Sequence, residues 1–295
     1  MRGRVKAAAL MATAAVLALP AAASAGYPGA NGRIFFDVGG GSGAAIFSIQ
    51  PDGSDRQRLI DRGREPAVSA DGRQIVFMRG GDLYLATRSG SDIVQVTDTD
   101  EAERNPSFSP SGNKLLFATD STGGKPGHIF TMRTDGGDRT RLTQSQRPDS
   151  DPSFSPNGDK VVFVRVGTDA VSQLYKMDTD GTNINQLTSG EFACEDPTWS
   201  PDGDRIAFKG FDGAFSLFAL NPNGEGLDQL TQSELGDHEP DFSPSGRKVV
   251  FRGARNDRKG LFIVGADGGA VERLTSSEPG NGVGVDADPY WGPTP

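Results

Sequence analysis

One phrase recurs along this chain, and it constrains the fold more than any other feature. It reads EPAVSADGRQIVF at 65 to 77, NPSFSPSGNKLLF at 105 to 117, DPSFSPNGDKVVF at 151 to 163, DPTWSPDGDRIAF at 196 to 208 and EPDFSPSGRKVVF at 239 to 251. Its opening prolines, Pro66, Pro106, Pro152, Pro197 and Pro240, stand 40 to 46 residues apart. That is the period of a four-stranded propeller blade. A lone unit exposes an apolar sheet face that only a neighbouring unit can cover, so the units must stack.

Alternation and turn chemistry place the strands within a unit. Pro197 to Ser200 makes a short strand that meets the turn Pro201-Asp202-Gly203. Arg205 to Lys209 is a second strand, and a variable loop leads into a third at Ser216 to Leu220. Asn221-Pro222-Asn223-Gly224 turns the chain, and Asp228 to Gln232 forms the last strand. The turn glycines supply a positive φ that other residues adopt only at a cost. The two ends complement each other. Asp288-Pro289-Tyr290-Trp291 opens the phrase without continuing it, whereas Asn31 to Phe36 has only the continuation. The reading is an all-β, six-bladed β-propeller of four-stranded antiparallel blades, closed by a composite blade from the N- and C-termini, over residues 26–295. Closure of this kind removes free sheet edges.

Residues 1–25 read as a secretory signal peptide: Arg2, Arg4 and Lys6, an apolar run from Ala7 to Leu19, Pro20, and the small residues Ala23-Ser24-Ala25 before a cleavage point. The apolar run is too short to span a bilayer comfortably, so no stable membrane insertion is expected. The implied location is periplasmic or extracellular. With one cysteine, Cys194, the chain has no internal disulfide, and its core and sheets must hold it. Its net charge of −9 becomes more negative once the basic signal is removed, which argues against nucleic acid as a partner.

The phrase, with its following aromatic pair, Asp-Gly turn and Leu-Thr, resembles the propeller repeats of the TolB-like family, and the resemblance covers essentially the whole mature chain. It implies the propeller fold. The family's α/β domain and the hydrolase domain of its peptidase relatives have no counterpart in the residues present, so neither of those activities is implied.

Three aromatic columns run through the repeats: Phe108, Phe154, Trp199, Phe242 and Trp291; Phe36, Phe77, Phe117, Phe163, Phe208 and Phe251; and Phe47, Tyr84, Phe130, Tyr175, Phe218 and Phe262. Recurrence at the structural period assigns them to packing between adjacent blades. Tyr27, Phe35, Phe192, Phe211, Phe215 and Tyr290 fall outside the columns and are candidates for ligand contact.

A polar column precedes the blade prolines: Glu65, Asn105, Asp151, Asp196, Glu239 and Asp288, with further acids at Glu103, Asp149, Glu195, Asp237 and Asp286. If the first strand of each blade is innermost, the polar column rings one mouth of a central channel. Each acid on its own reads as a loop anchor accepting backbone N–H bonds. Together they focus negative potential that suits a basic peptide segment or a cation such as Ca²⁺. The basic loop 252–260 is expected to pair with this rim. His238, beside Asp237 and Glu239, joins the candidate binding set.

No catalytic motif stands out. His128 and His238 are the only histidines, and there is no nucleophile elbow or phosphate loop. The segment Asp178 to Asn183 reads as a hairpin turn rather than a calcium loop, and Cys194 lies among carboxylates that disfavour its thiolate. The reading is therefore a non-enzymatic exported propeller binding a protein, peptide or glycan partner at its acidic mouth, with no assigned cofactor. The alternative is a cation-assisted enzyme acting on envelope or extracellular polysaccharide through Asp196, Glu239 and His238. Nothing in the sequence indicates an oligomeric state.

Overall fold

The computed structural model describes residues 29–39, 43–121, 125–190, 192–211, 213–275 and 286–295. The signal segment, Tyr27, and parts of the 39–43 glycine cluster and the 118–128 loop lie outside them.

In chain order the strands are β1 (Asn31–Val38), β2 (Ala45–Ile49) and β3 (Gln57–Asp61), then β4 (Arg64–Val68), β5 (Gln74–Arg79), β6 (Asp82–Thr87) and β7 (Val94–Gln95). The third group is β8 (Glu103–Phe108), β9 (Lys114–Thr119), β10 (Ile129–Arg133) and β11 (Thr140–Arg141). The fourth is β12 (Asp149–Phe154), β13 (Lys160–Val166), β14 (Ser172–Asp178) and β15 (Asn185–Gln186). The fifth is β16 (Ala193–Trp199), β17 (Ile206–Phe211), β18 (Phe215–Leu220) and β19 (Asp228–Gln229). The last is β20 (Asp237–Phe242), β21 (Lys248–Arg255), β22 (Arg258–Gly265) and β23 (Glu272–Arg273), followed by β24 (Asp286–Pro293). They form six four-stranded antiparallel sheets. Blades two to six are continuous in sequence, and blade one has the order β24-β1-β2-β3, with Ile34 opposite Trp291 and Phe35 opposite Tyr290.

The serine of the repeated phrase closes each inner turn. Ser69, Ser109, Ser155, Ser200 and Ser243 accept, on Oγ, the N–H five residues on at 2.9–3.1 Å. The fourth strands are shorter than expected. In blade five β19 ends at Gln229, because Leu217 N–H turns to the Thr231 hydroxyl, 3.0 Å away. The same clasp joins Leu83 to Thr97, Ile129 to Thr143, Leu174 to Thr188 and Leu261 to Thr275.

The core lies between blades. Leu116, Ala118 and Ile129 of blade three pack with Phe154, Val161 and Phe163 of blade four, and the other seams follow suit. The second and third aromatic columns first stack on each other within a blade, as Phe36 on Phe47 or Phe117 on Phe130, with centroids 5.7–6.0 Å apart. Phe35 is fully buried in the seam of blades one and two, so it belongs to the core and not to a ligand surface.

Candidate functional site at the channel mouth

The innermost strands share one irregularity. Their register with the second strand slips between Arg64 and Ala67, Arg104 and Ser107, Ser150 and Ser153, Glu195 and Thr198, and His238 and Asp241, and again at the corresponding point of β24. Proline has no N–H for the ladder, so a bulge is where an inner strand tolerates one. The residue before each proline is left-handed: φ is 51° at Glu65, 49° at Asn105 and Asp151, 53° at Asp196 and Glu239, and 45° at Asp288. This conformation costs about 1 kcal/mol or more for a residue with a Cβ, and Asn and Asp bear it best. These six residues, their prolines, and Ala67, Ser107, Ser153, Thr198, Asp241 and Tyr290 line one axial cavity of about 150 Å³. His238 is not among the lining residues.

The polar ring both latches the blades and carries charge. Glu65 accepts the N–H of Asn105 at 2.8 Å, Asp196 that of Glu239 at 3.3 Å, and Glu239 that of Asp288 at 2.8 Å. Each of these three carboxylates also has a cation. Arg104 stands 3.5 Å from Glu65, Lys209 3.4 Å from Asp196, and Arg252 grips Glu239 at 2.8 Å. Burial works against the Lys209 ammonium, but Asp196 and Glu195 outweigh it and hold the side chain charged. Asp151 and Asp288 have no ion pair among the described residues. Burial, reinforced by Asp196, pushes Asp151 up to about 7; burial and then Glu239 push Asp288 well above the carboxylate range. Beside Asp288, the fully buried Asp37 is pushed up to about 6 by burial, and its nearest cation is Arg64 at 3.8 Å. Asp241, deeper in the channel, rises to about 7 through burial although Trp291 N–H and Thr198 Oγ donate to it.

Sequence reasoning missed Asp37, Lys209 and Asp241, and placed Arg252 only within the basic loop expected to pair with the rim. A signal was legible: Asp37, Lys209 and Arg252 each follow the second-column phenylalanine, where the other blades have Met78, Ala118 and Val164.

The further acids of the rim are mostly blade fasteners. Glu103, Asp149, Asp237 and Asp286 are buried. Each meets an arginine that lies over the stacked aromatic pair of its own blade: Arg139 on Glu103 at 3.5 Å, Arg165 on Asp149 and Arg255 on Asp237 at 2.6 Å, and Arg56 on Asp286 at 2.9 Å. Thr97 and Thr275 of the preceding blades donate to Glu103 and Asp286, so the acid ties two blades together. Of this group only Glu195, which is offset by one position, reaches Lys209.

Two blades depart from the scheme. In blade five Cys194 takes the acid's place, and Phe192 takes the arginine's, edge-on to Phe218 at 4.8 Å and to Phe208 at 6.2 Å. Phe192 is thereby a packing residue and not a ligand contact. A Cβ on Gly210 would stand 2.3 Å from its ring, so glycine there makes the room. Burial, with a smaller contribution from Glu195, pushes the Cys194 thiol up to about 11. In blade two Gly63 takes the acid's place, and Arg79 over Phe77 and Tyr84 donates instead to the carbonyls of Asp61 and Arg62.

Beyond the channel wall, Phe215 meets the His238 ring at 5.4 Å and Phe211 at 5.0 Å, and Lys209 Nζ lies 4.9 Å over it. Phe211 is 42% exposed. Burial and the nearby Arg252 and Lys209 push His238 down to about 4, so it is neutral at physiological pH. The basic 252–260 loop does pair with the rim through Arg252 and Arg255. Among the described residues no group of three or more His, Cys, Asp or Glu is disposed to hold a metal ion.

These features define a closed six-bladed propeller with a polar axial channel, its mouth latched blade to blade by carboxylates. The chain belongs to the TolB β-propeller family, whose TolB beta propeller domain matches residues 46–294. TolB from Acinetobacter baumannii superposes with a TM-score of 0.76 at 24% identity, over 89% of this chain and 67% of that one. A putative TolB from Agrobacterium tumefaciens gives 0.72 at 22% identity, over 89% and 99% of the two chains. A chain of the nidogen/laminin complex gives 0.70 at 10% identity, over 88% and 97%. No curated protein matches the sequence.

Proposed function

We propose that this chain is an exported, non-enzymatic propeller of the cell envelope or its surroundings, and that it binds a protein partner by taking a cationic segment of that partner into the channel mouth. The observation that carries this reading is the pair Asp151 and Asp288, which line the cavity with no internal cation while their neighbours Glu65, Asp196 and Glu239 each have one. A lysine or arginine from outside would offset the repulsion of Asp151 by Asp196 and of Asp288 by Glu239, and would recover the charge that burial suppresses. The family supports protein binding in a coarse way, and the nidogen/laminin complex is a protein assembly containing a propeller of similar fold. Neutral His238 stands outside the ring, and the cation-paired acids Asp196 and Glu239 also hold backbone N–H groups of the next blades, which favours binding over glycoside chemistry.

The test is capture from a native envelope extract by wild-type protein and by the triple variant Asp151→Asn, Asp196→Asn, Glu239→Gln, repeated with the purified partner. The amides keep the oxygens that accept backbone N–H groups, so the ring stays latched. Loss of the partner with the variant is the expected result. Equal capture by both would overturn the reading, and heat on titrating Ca²⁺ into the protein alone, with a rise in Tm, would make a metal the occupant instead.

A further inference from the structure

In every blade where an arginine lies over the stacked aromatic pair, a buried carboxylate meets it, except in blade two. There the carboxylate's position is Gly63, where a Cβ would stand 2.7 Å from Ile46 Cδ1 and 3.0 Å from Phe77, so a side chain fits only if Ile46 shifts. Arg79 is thus held over Phe77 and Tyr84 by two carbonyls, at 3.1 and 2.8 Å, with no carboxylate among the described residues. The hairpin above it is the two-residue turn Gly80-Gly81, whereas blades three and four carry longer loops at this level, so this face of Arg79 is left uncovered. It opens into a cavity of about 490 Å³ that Arg62, Arg64 and Arg104 also line, with Met78 and Ala102 as its apolar wall.

The four arginines are under-neutralised. Arg62 is exposed, and its guanidinium makes no ion pair or hydrogen bond among the described residues. The Arg64 Nε is buried without a hydrogen-bond acceptor, and its ion pair with Asp37 is a long one at 3.8 Å. Arg104 has two carboxylates, Asp120 at 2.9 Å and Glu65 at 3.5 Å, whereas Arg62 and Arg79 have none among the described residues. This is an outlier in a chain of net charge −9.

We propose that this pocket, between blades two and three on the mouth face, binds the carboxylate of an acidic peptide segment. The guanidinium fork matches a carboxylate, and Arg79 lacks the internal acid that meets its counterparts in blades one, three, four and six. The lining favours a carboxylate on an aliphatic stem over an acidic sugar. Met78 and Ala102 suit a methylene stem, no amide or hydroxyl side chain is present to read sugar hydroxyls, and the aromatic faces of Phe77 and Tyr84 are already covered by Arg79. The inference goes beyond the channel reading, because the channel takes a cation and this pocket takes an anion.

The experiment is fluorescence anisotropy of a labelled glutamate–leucine peptide, its glutamine twin, and a labelled uronic-acid oligosaccharide, with the purified chain. The glutamate peptide should bind, and the twin should not. Arg62→Asn and Arg79→Gln should each weaken binding by about tenfold or more, the scale of a charge-assisted hydrogen bond. Asn tolerates the left-handed backbone at position 62, where φ is 56°, so Arg62→Asn decides the matter even if Arg79→Gln disturbs the fold. The channel variant Asp151→Asn should bind the peptide as the wild type does, which separates this result from the fate of the channel reading. Unchanged binding by Arg62→Asn, equal binding of the two peptides, or tighter binding of the oligosaccharide would overturn the proposal.

Discussion

Asp151 is a carboxyl placed where ionisation is opposed. It has one hydrogen-bond donor, Ser150 Oγ at 3.0 Å, and a like-charged neighbour in Asp196. Its folded value of about 7 lies above the unfolded value near 4, so between those limits the folded state holds a proton that the unfolded chain has released. The contribution to stability is therefore complete below about pH 4 and is lost as the pH rises through 7. Asp241, also at about 7, acts in the same direction. Replacing Asp151 with Asn should raise Tm by about 2–4 °C at pH 8 and leave it unchanged at pH 4, as thermal melts at the two values would show. A gain that is equal at both would place the effect in packing instead. At this scale the sequence was only partly readable. The polar column before the prolines was plain, but nothing local distinguishes a residue that lines the channel with a free carboxylate from one that spends it on the next blade's N–H.

Among elements, blade five tests whether the fastening of a blade is a set of independent contacts or one unit. Cys194, Phe192 and Gly210 replace an acid, an arginine and a bulkier residue together, and Gln173 takes over the Thr188 hydroxyl at 2.7 Å. Gly210→Ala alone should cost about 1–3 kcal/mol, since its methyl would collide with Phe192. In a Phe192→Ala background the same change should cost less, with only the Phe218 contact at 2.7 Å remaining, a coupling that urea denaturation of the four proteins would measure. Equal costs in both backgrounds would show that the ring is not what excludes the methyl. The sequence gives the period, the strands and the turns, because alternation and glycine are local signals. The partners of the second acids are not legible, because their arginines come from two places in the repeat: Arg165 and Arg255 lie on second strands, β13 and β21, whereas Arg56 and Arg139 stand just before fourth strands, β3 and β11. Only the folded blade brings them over the same pair of rings.

For the whole molecule, closure depends on β24. It supplies the inner strand of blade one, and Arg88 of blade two donates to its Pro293 carbonyl at 3.1 Å. On the other side Asn31 accepts Ser245 N–H from blade six at 3.1 Å. Deleting residues 286–295 should expose the edge of β1 and convert a monodisperse protein into aggregates on size-exclusion chromatography. A soluble, cooperatively melting product of that deletion would mean that five blades suffice. The composite blade was legible from the two ragged ends, whereas the arginine pocket was not, since its residues come from three separate stretches between positions 62 and 104. A ring of six alike units would let a visitor dock in six equivalent orientations, a degeneracy of about 1 kcal/mol at RT ln 6. Asn105 is the one member of the ring that cannot ionise, and it lies beside the arginines; the mouth is therefore a compass with a single north, and a segment entering it would meet one azimuth unlike the other five.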